Sequence, residues 1–511
     1  MSIVDEILEE PVEIPLVRGG EEYLTKRRVE LFDYRSKKIG EVSQCPSIIL
    51  SQAQQKTKTE GFKVFRKEMK IGEILEGFRN ASDIFRDGNV QIGNYDLSPD
   101  DYAKLATLST GIPVRVVEQS MEALKSVMDM IEEILKVQTP DGRIEAYDDF
   151  IARRNGTCFG WVPRGKDLGV VLPSNHPGTN ILWLICYAIK YSAIIRPSSD
   201  EVFTPIRLAK SFYEAGFPKH SLYVLPSGYG LIPNLIDGCD RSIIFGSEQV
   251  IRMYKNHPNV KTFGPGRSKI IVGEDMCHDI ELVKEVVVES MVSGGGRGCI
   301  NASALIVPGN GDEIARAVAE EISKIRAIDP LDPSAKLPAI KDRKMAEKMN
   351  GFIDIGLKNN GAKDITAEFT DCDRFVRNNG TSFILPTVIK CNSHKHPLFG
   401  VELLSPFLTI AQVNDCREMF EAARDSLSLS VITEDKNLVH KLLLEPSIQK
   451  VYNGNHVTCA LSPAEPHEGF LTEFLYQVKA YRPNGEFLAP QQIKYPQKYE
   501  IGDISIGREL A

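Results

Sequence analysis

The chain has 511 residues, of which 42% are hydrophobic and 25% charged, and carries a formal net charge of −8. That length calls for two or three domains, and that composition excludes a disordered, collagen-like or coiled-coil chain. A mildly acidic surface suits neither nucleic acid nor an anionic membrane. No apolar run approaches the ~20 residues of a bilayer span, and the acidic N-terminus is unlike a leader peptide, so a cytoplasmic location is expected.

Residues 1–110 show no clear pattern, and Ser51–Lys58 (SQAQQKTK) reads as a polar connector. Between Ile112 and Val137, apolar residues at three- and four-residue steps (Val114, Val117, Met121, Leu124) predict an amphipathic helix. Thr157–Trp161 alternates like a strand. From Leu168 short apolar strands alternate with helices: Leu168–Leu172, Ser192–Arg196, Ser221–Leu225, Ser242–Phe245 and Lys269–Val272. Strands at this spacing, each followed by a helix, predict a parallel sheet of βαβ units. A second unit begins near Met276, with a helix over Ile280–Val292 and strands over Ala304–Val307, Ser382–Ile389 and Phe407–Gln412. The tail from about Pro483 is rich in proline, glutamine and charge, as in an arm lying on a neighbour.

Three segments could carry chemistry. In Ser293-Gly-Gly-Gly-Arg-Gly-Cys299 the glycines free the backbone after a predicted helix, so a substrate and N–H donors could approach the cysteine closely. Arg297 would supply the positive potential a thiolate needs. Taken alone, the segment equally fits a buried packing cysteine beside a turn. Asn175, in Pro173-Ser-Asn-His-Pro177, follows the first sheet strand, where ligands of open α/β sheets sit, and its amide suits an oxyanion; it fits a turn-stabilising asparagine as well. His176 reads as structural. Ile244-Phe-Gly246-Ser247 ends a strand before a helix, a weak phosphate-site pattern. The ten cysteines include no CxxC pair, and no His/Cys cluster suggests a metal.

Together these segments resemble the aldehyde dehydrogenase superfamily, in order from roughly residue 140 to 480. The family's Pro-Trp-Asn-Phe-Pro loop is similar to Pro173–Pro177 and its Lys-Pro-x-Glu segment to Arg196-Pro-Ser-Ser199. Its Glu-Ala-Gly-Phe-Pro run matches Glu214–Pro218, and its Phe-Thr-Gly-Ser turn resembles Ile244–Ser247. Gly-Gln-x-Cys matches Gly296–Cys299, and Glu-x-Phe-Gly-Pro resembles Glu402–Pro406. The resemblance implies Cys299 as nucleophile and Asn175 as oxyanion donor. It further implies that Arg196, Ser199, Gly246, Ser247 and Glu402 hold a nicotinamide cofactor, Glu402 through its nicotinamide ribose. The implied architecture is a Rossmann-like cofactor domain (1–140 and 162–275), an α/β catalytic domain (276–460) and bridging segments (141–161 and 461–511) that build a homodimer or homotetramer.

The family's general-base motif, Glu-Leu-Gly-Gly-Lys-Ser-Pro, aligns with Phe263-Gly-Pro-Gly-Arg-Ser-Lys269, and neither Phe263 nor Thr262 can deprotonate water. Members without that base commonly pass the acyl group to coenzyme A or reduce an acyl-CoA. The expectation is therefore an oxidoreductase interconverting an aldehyde and an acyl-CoA, with coenzyme A as co-substrate. The alternatives are a hydrolytic aldehyde dehydrogenase with a substitute base among Glu465, Glu468 and Glu473, or an acyl-phosphate reductase on the same fold. Ser199 in place of glutamate, with Arg196 nearby, leans the cofactor towards NADP over NAD. Ile251 and Leu404 also depart from the family pattern.

Overall fold

Short βαβ repeats in the first half fold into one sheet. Its parallel strands are β1 (Asp167–Val171), β2 (Ser192–Arg196), β3 (Leu222–Val224), β4 (Arg241–Phe245) and β5 (Val260–Phe263). They stand in the order β5-β4-β1-β2-β3, extended beyond β3 by two antiparallel strands, Leu16–Arg18 and Glu21–Tyr23. β1 is buried at every position, which explains its continuous apolar sequence: strands covered on both faces by helices do not alternate. The order reverses between β1 and β4, and the crevice beyond the carboxyl ends of those strands is where such folds bind nucleotides. The computed structural model describes residues 3–155 and 157–482, so the expected arm from Pro483 lies outside the described residues.

A second seven-stranded sheet contains β6 (Ser268–Val272), β7 (Ala302–Val307), β8 (Thr387–Cys391), β9 (Phe407–Gln412), β10 (Leu429–Ile432) and β11 (Val451–Asn453). The parallel order is β8-β9-β7-β6-β10-β11, with Ala362–Asp364 antiparallel on β8. Here the structure corrects the sequence reading. Lys269–Val272 was assigned to the first unit, but β6 pairs with β7 and β10 in the second. The passage between the sheets is therefore the link after Phe263, not residue 275. An apolar four-residue strand fits either sheet, and only its long-range partners decide.

Other differences have local causes. The helix expected over Ile112–Val137 is two helices, Val114–Asp129 and Ile131–Gln138, meeting at Met130; the apolar stripe continues across the break and conceals it. Ser51–Lys58 is helical, beginning in Ser47–Lys56 and passing into a π-helix over Thr57–Glu68, because glutamine, alanine and lysine are good helix formers. The strand expected at Ser382–Ile389 is split into Thr381–Ile384 and β8 around Pro386, which has no N–H for a ladder.

The two stretches expected to bridge subunits pair with each other within the chain. Thr157–Pro163 pairs antiparallel with Ile151–Arg154 on one side and with Tyr476–Ala480 on the other. Trp161 and Tyr476 stack there, with ring centroids 4.3 Å apart.

Candidate active site

The nucleophile candidate sits in the link between the helix Ile280–Val292 and β7. Gly294, Gly295 and Gly296 all adopt left-handed backbone, with φ of 62°, 79° and 66°, a run that residues with a Cβ avoid. The loop they form is pinned by Asn301, whose Nδ2 donates to the carbonyls of Ser290 (3.0 Å) and Ser293 (2.9 Å) while its Oδ1 accepts from Gly298 N (2.8 Å). Ser268, at the start of β6, donates from Oγ to the Cys299 carbonyl at 2.9 Å. Next to it, Gly266 passes so close that a Cβ there would lie 1.9 Å from the Cys299 carbonyl oxygen. Asn301, Ser268 and Gly266 were not singled out from sequence; a small residue beside the family's Lys-Ser dipeptide was the available signal.

Asn175 reaches this loop from the end of β1. Its Nδ2 donates to the Arg297 carbonyl at 3.0 Å, leaving a second amide hydrogen uncommitted, and its Oδ1 is buried without a hydrogen-bond partner among the described residues. Cys299 and Asn175 line one cavity of about 470 Å³. His176 caps the short turn after it, its Nδ1 accepting from Gly178 N at 3.0 Å, and burial holds its pKa down to about 4. Its ring also lines the cavity that holds Cys299.

Arg297 does not serve the thiol as expected. Its guanidinium turns away to donate to the Thr110 carbonyl at 3.1 Å. Burial, followed by the carboxylates of Glu402 and Glu468, pushes the Cys299 thiol up to about 12, and the cation that opposes them is Lys450. Burial therefore favours the protonated form of the Cys299 thiol.

Phe263, which with Thr262 aligns with the family's carboxylate, is buried, stacked on Phe245 with centroids 5.0 Å apart and tilted against His467 at 5.9 Å. Of the three possible substitutes, Glu465 lines the cysteine's cavity and accepts from Tyr452 OH at 3.0 Å. Glu468 does not line it but is near enough to raise the thiol, and burial raises its own carboxyl against the pull of Lys261 and Lys450. Glu473 is exposed and outside the cavity.

Of the cofactor candidates, Arg196 ends β2 with Ser199 beyond it, Gly246 and Ser247 follow β4, and Glu402 lies in the link that precedes β9 of the second sheet. Ser247 and Glu402 share a cleft of about 1070 Å³ with Arg252, Arg267 and Lys269. Glu402 Oε2 accepts from the backbone N–H of Gly266 (2.7 Å) and Arg267 (3.1 Å), so the carboxylate also ties the β5–β6 link. Gly246 makes the turn after β4, where a Cβ would lie 2.6 Å from Val250 Cβ. Arg196, at the end of β2, donates from Nε (3.1 Å) and Nη2 (2.8 Å) to the Ser227 carbonyl and stacks on Tyr229. Ser199 beyond it is exposed. A strand order that reverses at β1/β4 and a tight glycine turn there fit a dinucleotide, beside a cleft whose walls carry cations and carboxylates alike.

A sequence model of the aldehyde dehydrogenase family matches residues 97–471. The chain belongs to the aldehyde dehydrogenase family. Among curated relatives, malonate-semialdehyde dehydrogenase 1 of Geobacillus kaustophilus is 25% identical over 55% of this chain and 58% of its own, so the match spans little more than half of that relative. The 1-pyrroline-5-carboxylate dehydrogenase of Geobacillus sp. strain WCH70 is 25% identical over 89% of this chain and 87% of its own. Among solved structures, the indole-3-acetaldehyde dehydrogenase AldA of P. syringae, in complex with NAD+ and IAA, superposes with a TM-score of 0.76 at 16% identity, covering 93% of this chain and 98% of that one. This establishes the aldehyde dehydrogenase fold. No helix among the described residues is long and apolar enough to cross a membrane, and no group of three or more His, Cys, Asp or Glu among them could hold a metal ion.

Proposed function

We propose that the protein interconverts an aldehyde and an acyl thioester through Cys299, with coenzyme A as the acyl acceptor or donor. The observation that carries this reading is Phe263. An aromatic side chain, buried between Phe245 and His467, occupies the place of the carboxylate that hydrolytic members use to activate water. A thiol acceptor is a better nucleophile than water at neutral pH and needs less help.

In the forward direction Cys299 adds to the aldehyde carbonyl, forming a C–S bond, while Asn175 Nδ2 and the Cys299 N–H donate to the developing oxyanion. NAD or NADP, held by Ser247, Glu402, Gly246, Arg196 and Ser199, supplies a hydride acceptor when bound. The acyl group left on Cys299 then transfers to the incoming thiol, and Cys299 leaves as thiolate. The walls formed by Val116, Ile181, Leu182 and Ile185 suit an apolar acyl chain. The three-stranded sheet that unites residues 151–163 with 476–480 supports a bridging role and assembly as a homodimer or homotetramer.

One observation favours a second reading. Glu468 lies within electrostatic reach of Cys299, and a buried carboxylate with a raised pKa is suited to proton abstraction from water. Its product would be a carboxylic acid. Reduced-nicotinamide absorbance with a panel of aldehydes, with NAD or NADP and with or without coenzyme A, separates the two. Turnover only with coenzyme A supports acyl transfer, and equal turnover without it overturns that reading. Reduction of an acyl phosphate, with none of an acyl-CoA, would instead identify an acyl-phosphate reductase.

A further inference from the structure

A thiol pushed up to about 12 needs something to take its proton, and Phe263 cannot. We propose that His467 and Lys450 together are the proton acceptor of Cys299, with His467 the catalytic member and Lys450 acting through it. This rests on Cys299 being the nucleophile.

The pair is assembled from two chain segments. Lys450, the residue before β11, brings Nζ to 3.0 Å from His467 Nδ1. The His467 ring lines the same cavity as Cys299, braced on its other side by Phe263. The backbone beyond it is fixed by Lys261, whose Nζ donates to the Glu468 carbonyl at 2.7 Å. Glu468 itself adopts left-handed backbone, with φ of 54°, so this turn is held in a conformation that a side-chain-bearing residue visits seldom.

The charges around the pair suit a relay. Lys450 faces Cys299, Glu465 and Glu468, and burial brings its pKa down to about 8 in spite of them. His467 faces Lys450 and Lys261, and burial plus those cations brings it down to about 3. The imidazole therefore rests neutral beside an amine that gains or loses a proton near physiological pH. In the step itself the S–H bond breaks and its proton goes to His467 Nε2. The proton on Nδ1 moves to the Lys450 lone pair. Thiolate and ammonium form together, the imidazole ends neutral in its other tautomer, and no proton is exchanged with solvent. The ammonium then stabilises the thiolate against Glu402 and Glu468.

The test reads the thiol directly. Alkylation of Cys299 by iodoacetamide, followed by peptide mass spectrometry between about pH 6 and pH 10, gives a rate that climbs with the thiolate fraction, and a displacement of that pH–rate line reports any shift of the thiolate midpoint. Lys450→Met is expected to raise that midpoint by about one unit, slowing alkylation about tenfold below it. Lys450→Arg keeps the charge but cannot accept the relayed proton, so it is expected to restore most of the midpoint and not the pre-steady-state burst of reduced nicotinamide. His467→Gln is expected to slow the pre-steady-state burst of reduced nicotinamide by about a hundredfold, the lower range for loss of a general base. NADH binding, followed by fluorescence, identifies variants that fold; should Lys450→Met fail there, Lys450→Arg and His467→Gln carry the test. An unchanged midpoint in Lys450→Met with an unchanged burst in His467→Gln overturns the proposal. Cys299→Ala separates the two levels: a burst that survives it overturns the nucleophile assignment, whatever the pair does.

Discussion

The Ser268 hydroxyl donates to the Cys299 carbonyl at 2.9 Å and accepts from Ser428 N at 3.2 Å, so one buried side chain joins the nucleophile's loop to two strands of the second sheet. Ser268→Ala leaves the Ser428 N–H and the Cys299 carbonyl without that partner. The expected cost is about 1–3 kcal/mol, the usual range for buried groups left unpaired, measured as a lowered urea midpoint at unchanged m-value. A midpoint equal to that of the parent would show that the loop is held without this hydroxyl.

Gly266 offers a harsher version of the same experiment. A Cβ there meets the Cys299 carbonyl oxygen, so Gly266→Ala must move the nucleophile or its own link. The expectation is a loss of about a hundredfold in kcat, typical of a misplacement near 1 Å, with the far-UV spectrum retained. Full activity would mean that the loop yields at no cost.

Asn175→Ala removes an amide donor that the Arg297 carbonyl already orients. A loss of about 10²–10³-fold in kcat with NADH affinity unchanged is expected for an oxyanion donor. A change confined to KM would assign the amide to substrate binding instead.

Ser199 is exposed at the end of β2, where a carboxylate would bond both ribose hydroxyls and repel a 2′-phosphate. Ser199→Glu should lower the ratio of kcat/KM for NADP over NAD by about tenfold, worth ~1.4 kcal/mol. An unaltered ratio would remove Ser199 from the ribose site.

Glu201 gives a pH-dependent prediction away from the chemistry. It is buried, with its carboxylate accepting from Thr204 N at 3.1 Å, and burial raises its pKa to about 7. A carboxyl whose pKa is raised in the folded state favours folding below its unfolded pKa, and that contribution is lost as pH rises through about 7. Glu201→Gln removes the ionisation. Its unfolding free energy, from urea titration, should exceed the parent's by an amount on the order of 3 kcal/mol near pH 8 and match it near pH 4. Equal gains at both pH values would show that ionisation is not the cause.

The alternation of strands and helices was readable because its cause is local: β1 is apolar throughout as both its faces are covered, and the helix Ile280–Val292 ends where three glycines turn left-handed. The turns that carry Cys299 and Asn175 were legible for the same reason, their residue types declaring them. What sequence did not disclose depends on distant partners. β6 joins the second sheet through residues 302–307 and 429–432, and nothing within Lys269–Val272 says so. Nothing in the sequence pairs Lys450 with His467, and a lysine before an edge strand and a histidine in a loop look ordinary until the fold sets them side by side. Arg297 misled for the complementary reason: adjacency in sequence to the cysteine did not fix where its long side chain turned.

The wall that encloses Cys299 includes Cys459, Leu461, Pro466, His467 and Phe470, all far downstream of the nucleophile. Synthesis proceeds from the N-terminus, and domains fold in that order as they emerge. The reactive thiol therefore leaves the ribosome in an open groove and is sealed only when the segment leading to Tyr476–Ala480 has been made and paired. A chain halted before Leu461 would lack this wall and leave the sulfur of Cys299 open to electrophiles and oxidants in its surroundings.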